Sequence, residues 1–282
     1  MNSNRLYRNR TLTDNVNMVF DFVGENWRKW FKMMAYFLLP FSVFLGTTLT
    51  TLYDESSTSM SETMYVVSIV LAVVGCSVVT ALEILLVKWY ETHDGTLDGC
   101  NAATMWRMLP KATLKCLVAI ILGTIIMAFA VLCNIIPIIG LAAVFAALPV
   151  FLICPIMLLE PKDSLLNNTK RAFSLGHKKW GRLILITLIM GIVSLLINNA
   201  ITFPLGIYVV LESTFGLSPT DSVFWYFLAD VFKYIIGVAQ CFMIFVEMGL
   251  FVLAMTYHYG SVATEIEDLG LESDIDNFAH LK

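Results

Sequence analysis

Residues 114–159 read LKCLVAIILGTIIMAFAVLCNIIPIIGLAAVFAALPVFLICPIMLL. Each half of this stretch is long enough for a membrane-spanning helix, which needs about 20 mostly apolar residues. Only Asn134-Ile135-Ile136 separates the two halves, and so short a connection forces the two helices into an antiparallel hairpin. The sequence therefore predicts neighbouring spans at Leu114–Cys133 and Pro137–Leu159.

The composition extends this prediction to the whole chain. The 282 residues are 58% hydrophobic and 14% charged, and their mean hydropathy is +0.76. An ordinary soluble domain is roughly 45–50% apolar and about 25% charged. A soluble globule of this size cannot hide so much apolar surface. The composition excludes a soluble protein, a disordered chain and a nucleic-acid partner, and predicts an all-α polytopic bundle in the lipid bilayer.

Six apolar runs have the length of a span. They are Trp30–Tyr53, Met64–Val87, Leu114–Cys133, Pro137–Leu159, Leu183–Val209 and Ile235–Tyr257. This pattern divides the chain into an N-terminal segment over 1–29, a six-span membrane domain over 30–259 and an acidic tail over 260–282.

The charges of the connecting segments predict the orientation. Basic residues lie before span 1, between spans 2 and 3 and between spans 4 and 5. The other connections carry acidic residues or no charge, apart from Lys233 directly before span 6. Positively charged loops remain in the cytoplasm. Both termini are therefore predicted to be cytoplasmic, and we expect the basic loops to attract anionic lipid headgroups.

Similar amphipathic stretches precede spans 1, 3 and 5. They cover Val16–Trp30, Ala103–Lys115 and Leu166–Arg182 and contain aromatic and basic residues. One interpretation is a threefold repeat of a short interfacial helix and a hairpin, in which Gly24 and Gly176 end the first and third short helices in a left-handed conformation. The alternative is that any loop before a span is basic and aromatic.

The third stretch also resembles a known group of proteins. Arg171–Arg182 reads RAFSLGHKKWGR, and Phe22–Trp30 is a weaker copy of it. The motif is similar to one in uncharacterised bacterial six-span membrane proteins, which include the membrane domain associated with some glycerophosphodiester phosphodiesterases. The resemblance implies a six-helix module of the bacterial inner membrane. No long soluble segment resembles the phosphodiesterase barrel, so no active-site residue carries over.

Polar residues at membrane depth are the candidate functional residues. An acid at the bilayer centre costs on the order of 3 kcal/mol, and two acids lie well inside predicted spans. The candidates are Glu83 and Glu247, with Asn198, Asn199 and Gln240 as possible partners. They form either a proton, cation or substrate site, or structural ties between helices. We expect Glu247 to point into the bundle and to meet a polar group from another span, with Asn198 and Asn199 as the first candidates.

The sequence contains no recognisable catalytic set. It has no H-E-x-x-H, G-x-S-x-G, Walker or G-x-G-x-x-G motif, and no cofactor or metal is predicted. An enzyme is therefore less favoured than a scaffold, assembly or accessory module that binds a protein partner or a second copy. The alternative is a small transporter or channel that uses Glu247 and span 4, which Pro149 and Pro155 interrupt. The acidic tail is either solvated or docks on a basic surface.

The predicted orientation can be tested by cysteine labelling in a variant without the six native cysteines. We expect a cysteine at Ser57 or Ser213 to react with an impermeant thiol reagent in intact cells, because the first loop has no basic residue and the second has only Lys233, next to span 6. A cysteine at Ser174 should react only after the membrane is opened. Labelling of position 174 in intact cells would contradict the six-span orientation.

Overall fold

A computed structural model describes residues 6–53, 62–93, 95–133, 137–160, 164–215 and 223–267. These residues form eight α-helices and one 3-10 segment. The helices are α1 (Leu12–Tyr53), α2 (Glu62–Thr92), α3 (Ala102–Leu132), α4 (Pro137–Ala147), α5 (Ile153–Leu159), α6 (Leu165–Lys178), α7 (Trp180–Phe215) and α8 (Val223–Glu267), and the 3-10 segment is Leu148–Leu152.

Six helical stretches are long and apolar enough to cross a membrane, which confirms the predicted all-α six-span bundle. They are Leu12–Leu49, Glu62–Thr92, Ala102–Leu132, Ile138–Leu159, Trp180–Phe203 and Val231–Glu267. The central helix is α8, which packs along α1, α2 and α7.

The separate short helices predicted before spans 1 and 3 are wrong. α1 continues through Gly24, and α3 continues through Pro110. Only the third stretch is a helix of its own, α6, which ends at Lys178. The left-handed glycines of the described residues are Gly95 and Gly99, in the α2–α3 loop. The start of α1 stays helical because Met18, Val19 and Phe22 are buried in the core, and tertiary packing outweighs the weak helix propensity of one glycine.

The fourth span is broken, as its prolines predict. The chain changes from α4 to the 3-10 segment at Leu148, and α5 begins at Ile153. Pro149 lacks an N–H group and its ring clashes with the preceding turn, which weakens an α-helix at this point. Proline alone does not decide the break, because α1 and α3 continue through Pro40 and Pro110. The broken segment packs against α6, where a Cβ atom on Gly176 would lie 2.6 Å from the Cβ of Pro149. Gly176 therefore permits close packing and does not end a helix.

The two described ends of the chain lie at the same end of the bundle. The backbone N–H of Arg10 donates to Ser261 Oγ at 3.0 Å, and a Cβ atom on Gly260 would lie 2.4 Å from the carbonyl oxygen of Leu6. An even number of spans requires this arrangement. Because α6 and its lysines lie here too, we call this the basic end of the bundle.

The packing of Gly176 predicts that alanine is more destabilising there than at Gly191, which is also helical. Gly176→Ala should lower the free energy of unfolding by about 1–3 kcal/mol, because the added methyl group meets Pro149. Gly191→Ala should be neutral or slightly stabilising, because nothing lies within 4 Å of the added atom and alanine favours a helix. Thermal unfolding in detergent measures both. Equal melting temperatures for the two variants would contradict the α6 packing.

Candidate functional site

Glu83 lies at the contact of three helices. Its side chain is completely buried in α2, and Trp30 Nε1 of α1 donates to its two carboxylate oxygens at 2.8 and 3.1 Å. Gly249 of α8 faces the same carboxyl group, since a Cβ atom there would lie 2.8 Å from Glu83 Oε1. The arrangement is a polar tie between α1, α2 and α8, and the indole can act only as a donor.

Glu247 lies on a different side of α8 from Gly249, the residue that faces Glu83. It is 8% exposed, which confirms that it points into the bundle, and its Oε1 has no hydrogen-bond partner among the described residues. Helical geometry places Glu247 on the same side as Ser261, fourteen residues further on. Arg182 Nη1 of α7 contacts Ser261 Oγ at 3.4 Å. This side of α8 therefore faces α7.

The predicted pairing of Glu247 with an asparagine is wrong. Asn199 is exposed, and its Nδ2 donates to the carbonyl oxygen of Leu195 in its own helix at 2.7 Å. Asn198 is half-buried, and no hydrogen bond between it and Glu247 occurs in the described part of the chain. The reason is the rotation of α7 about its axis, which turns Asn199 outward.

The candidate polar residues do not form one site. Glu83 faces Gly249, and Glu247, two residues before that glycine, lies about 200° around α8. Gln240 is buried and shares the side of Glu247, seven residues earlier in the helix. His258 lies eleven residues after Glu247 on the same side, is completely buried, and neither ring nitrogen has a partner among the described residues. We call Gln240, Glu247, His258 and Ser261 the polar stripe of α8.

A second polar cluster, which sequence reasoning missed, closes the basic end of the bundle. Glu160 accepts hydrogen bonds from Tyr7 Oη at 3.1 Å, from Arg171 Nη1 at 2.7 Å and from Tyr259 Oη. We call these four residues the Glu160 cluster. It joins the N-terminal segment, the end of span 4, α6 and α8. The available sequence signal was an acid placed directly after an apolar run.

The electrostatics of this cluster favour its charged form. Burial alone would raise the pKa of Glu160, but the hydrogen bonds from Arg171, Tyr259 and Tyr7 outweigh it and hold that pKa below its ordinary value. The pKa of Arg171 is raised above its ordinary value, mainly by its hydrogen bonds to Glu267. Burial, followed by the charge of Glu160, raises the pKa of Tyr7. Glu160 and Arg171 therefore form an ion pair at neutral pH.

The first acids of the predicted tail contact basic residues of the same molecule. α8 continues past residue 260, the predicted start of the tail, to Glu267. Glu267 binds Arg171, and Glu265 binds Lys179 and Arg182. Of the two interpretations of the tail, docking on the chain's own basic loop is therefore confirmed for these two acids. Residues 268–282 lie outside the described residues.

The described residues contain no group of three or more His, Cys, Asp or Glu side chains arranged to hold a metal ion. No family model matches the chain, and no curated protein or solved structure matches it.

The tie at Glu83 predicts the effect of removing its donor. Trp30→Phe should lower the free energy of unfolding by about 1–3 kcal/mol, because a buried carboxyl group loses a hydrogen bond. Trp27→Phe is the matched control, because Trp27 is 57% exposed and should tolerate the change. Thermal unfolding in detergent provides the comparison, and equal losses in the two variants would contradict the tie.

The Glu160 cluster predicts a pH dependence. The pKa of Glu160 is lower in the folded protein than its ordinary value, so its stabilisation is present above about pH 4.3 and is lost as pH falls through the lowered pKa. Glu160→Gln should reduce stability at pH 7 and flatten the decline of melting temperature below pH 5. Asp21→Asn, at an exposed position of α1, should keep the original profile. An unchanged profile for Glu160→Gln would contradict the proposed charge state.

Proposed function

We propose that this protein is a scaffold or accessory module of a bacterial inner membrane, with both termini in the cytoplasm. The orientation is supported by the charges of the loops and by the common location of the two described ends. The bacterial assignment is supported by the resemblance of Arg171–Arg182 to six-span bacterial membrane proteins. A scaffold needs a surface that another membrane protein can occupy, and α7 has one.

The observation that carries this proposal is an outward-facing stripe on α7. Only 11% of the most apolar stretch of this helix is buried, against 61% for α2. Exposed apolar residues recur every three or four positions at Leu185, Leu188, Ile192 and Leu195, and Phe203 follows further along. Asn199 lies on the same stripe and is also exposed. We call these six residues the α7 stripe.

An asparagine side chain that faces lipid is energetically unfavourable, because lipid tails offer its amide no hydrogen-bond partner. A neighbouring helix can provide one. Its amide carries two donors and an acceptor, and the described contact, to the carbonyl oxygen of Leu195, uses one donor. Interhelical hydrogen bonds of this kind contribute about 1–2 kcal/mol in model peptides, and a regular apolar stripe provides the packing surface. The α7 stripe therefore suits a helix of a second membrane protein or of a second copy.

Photo-crosslinking in the native membrane tests the scaffold function. A photoreactive residue at Leu195 should give a protein adduct of defined mass, and Asn199→Leu should reduce its yield. A photoreactive residue at Ile125 of α3, which is also exposed, is the control position, and Thr124→Val is the control substitution. Mass spectrometry distinguishes a second copy from another protein. Lipid adducts alone at Leu195 would contradict docking through α7.

The basic end should also contact anionic headgroups. α6 buries Ala172 and Leu175, while Lys170 and Lys178 are exposed on it, and Trp180 follows it at 42% exposure. This is the distribution of a helix that lies at the membrane surface. Each exposed lysine near an anionic leaflet contributes about 1 kcal/mol to membrane attraction.

The second candidate function is proton or cation transport along the polar stripe of α8. It is favoured by two buried groups on one helix side, since Glu247 Oε1 and both ring nitrogens of His258 have no hydrogen-bond partner among the described residues. Glu247 lies outside the linings of the cavity at Glu25–Asp98, the cavity at Phe151 and the groove at Trp106. We therefore place this function second.

Two substitutions separate transport from packing at Glu247. Glu247→Gln keeps the hydrogen-bonding shape and removes the charge, whereas Glu247→Leu removes both. Folded yield and the growth phenotype of a deletion strain are the measurements. Normal growth with Gln and poor yield with Leu would eliminate transport, and a normal yield with lost function in the Gln variant would favour it.

A further inference from the structure

A polar cavity of about 420 Å³ lies at the basic end, between α1 and the α2–α3 loop. It is lined by Glu25, Asn26, Trp27, Arg28 and Lys29 of α1 and by Gly95, Thr96, Leu97 and Asp98 of the loop. The left-handed conformations of Gly95 and Gly99, each with φ of 74°, bring the loop back towards α1. Lys29 and Asp98 form an ion pair across the cavity.

The lining of this cavity carries both signs of charge. Arg28 and Lys29 are cationic, and Glu25 and Asp98 are anionic. The side chains of Lys29 and Asp98 are 47% and 78% exposed, and an exposed pair of this kind contributes little to stability. It can therefore open so that each group binds a ligand. A simple anion would meet two carboxylates here, whereas a ligand with one negative and one positive group matches the lining.

A second, apolar groove of about 330 Å³ lies deeper on the same side of α1. It is lined by Phe37 and Phe41 of α1, Val78 of α2, and Trp106, Leu109, Pro110, Thr113, Leu114 and Leu117 of α3. The rings of Phe37 and Trp106 stack at 5.9 Å between centroids, and Trp106 is 63% exposed. The groove lies between helices α1 and α3, within their membrane-spanning stretches. Lipid acyl chains surround the protein at this depth.

The cavity and the groove are aligned along one helix face. Asn26 lines the cavity and Phe37 lines the groove, and these residues are eleven positions apart in α1. Eleven residues return to within about 20° of the same face and advance about 16 Å. Half of the hydrocarbon core is about 15 Å thick. The spacing therefore reaches from a phospholipid headgroup deep into the acyl-chain region of the same leaflet.

We propose that the cavity and the groove together bind one ethanolamine phospholipid from the leaflet at the basic end. The phosphodiester binds Lys29, the primary ammonium binds Asp98 and Glu25, and one acyl chain lies in the groove. A primary ammonium donates three hydrogen bonds, as a lysine does, whereas a quaternary ammonium donates none. This site is independent of the α7 stripe and of the scaffold function.

Native mass spectrometry of the purified full chain tests the lipid class. The protein is titrated with ethanolamine, glycerol and choline phospholipids that have identical acyl chains, and with soluble phosphoethanolamine. We expect the ethanolamine lipid to bind at least about tenfold more tightly than the other two, a difference of about 1.4 kcal/mol. Soluble phosphoethanolamine should not displace it, because the free headgroup cannot fill the groove. Equal binding of the three lipids would overturn the proposal, and displacement by the free headgroup would overturn the role of the groove.

Substitutions at exposed positions test the assigned contacts. Lys29→Gln should weaken the ethanolamine lipid about tenfold, and Asp98→Asn should shift the preference towards the anionic glycerol lipid. Lys32→Gln is the matched control, because Lys32 is exposed on α1 and does not line the cavity. Leu114→Trp, at a position 63% exposed, should fill the groove and reduce binding of all three lipids. Equal losses in the Lys29 and Lys32 variants would show unspecific attraction and overturn the site.

Discussion

The close approach of α1 and α2 to α8 is the contact on which the rest of the bundle depends. Lipid tails are as apolar as leucine, so membrane helices associate through van der Waals packing at small residues. A Cβ atom on Gly46 would lie 2.6 Å from Val238, and one on Gly75 would lie 2.5 Å from the ring of Phe245. Gly249 and Gly260 permit the same close packing nearer the basic end. With larger residues at these positions the three helices would separate.

The polar ties of the bundle follow from this packing. Glu83 can be buried because Gly249 leaves room for its carboxyl group and Trp30 lies close enough to donate to it. At the basic end, the same approach of α1 to α8 brings the N-terminal segment to Tyr259 and Glu160. A buried acid without a donor would be strongly destabilising in this environment. The two acids that look functional in the sequence therefore differ, because Glu83 is a structural tie, whereas Glu247 Oε1 has no hydrogen-bond partner among the described residues.

The surfaces that the bundle does not use for its own packing indicate how it meets its surroundings. α7 contacts α8 along one side and leaves the α7 stripe outward, so it offers a helix-docking surface. α1 and α3 leave a groove beneath a cavity of mixed charge, so they offer a lipid-sized site. Both features depend on which side of each helix is turned inward. The same packing that builds the core therefore also decides which helix faces remain outward.

The sequence by itself determined the six spans and the pairing of spans 3 and 4, because span length, apolarity and a connection of three residues are local requirements. Only the tertiary structure decided the rest. α1 continues through Gly24 because Phe22 and its neighbours pack in the core, which no local pattern shows. The Glu160 cluster joins residues 7, 160, 171 and 259, whose proximity depends on the packing of distant helices. Asn199 faces outward because a helix that is apolar on all sides does not encode its own rotation, and contact with α8 fixes it.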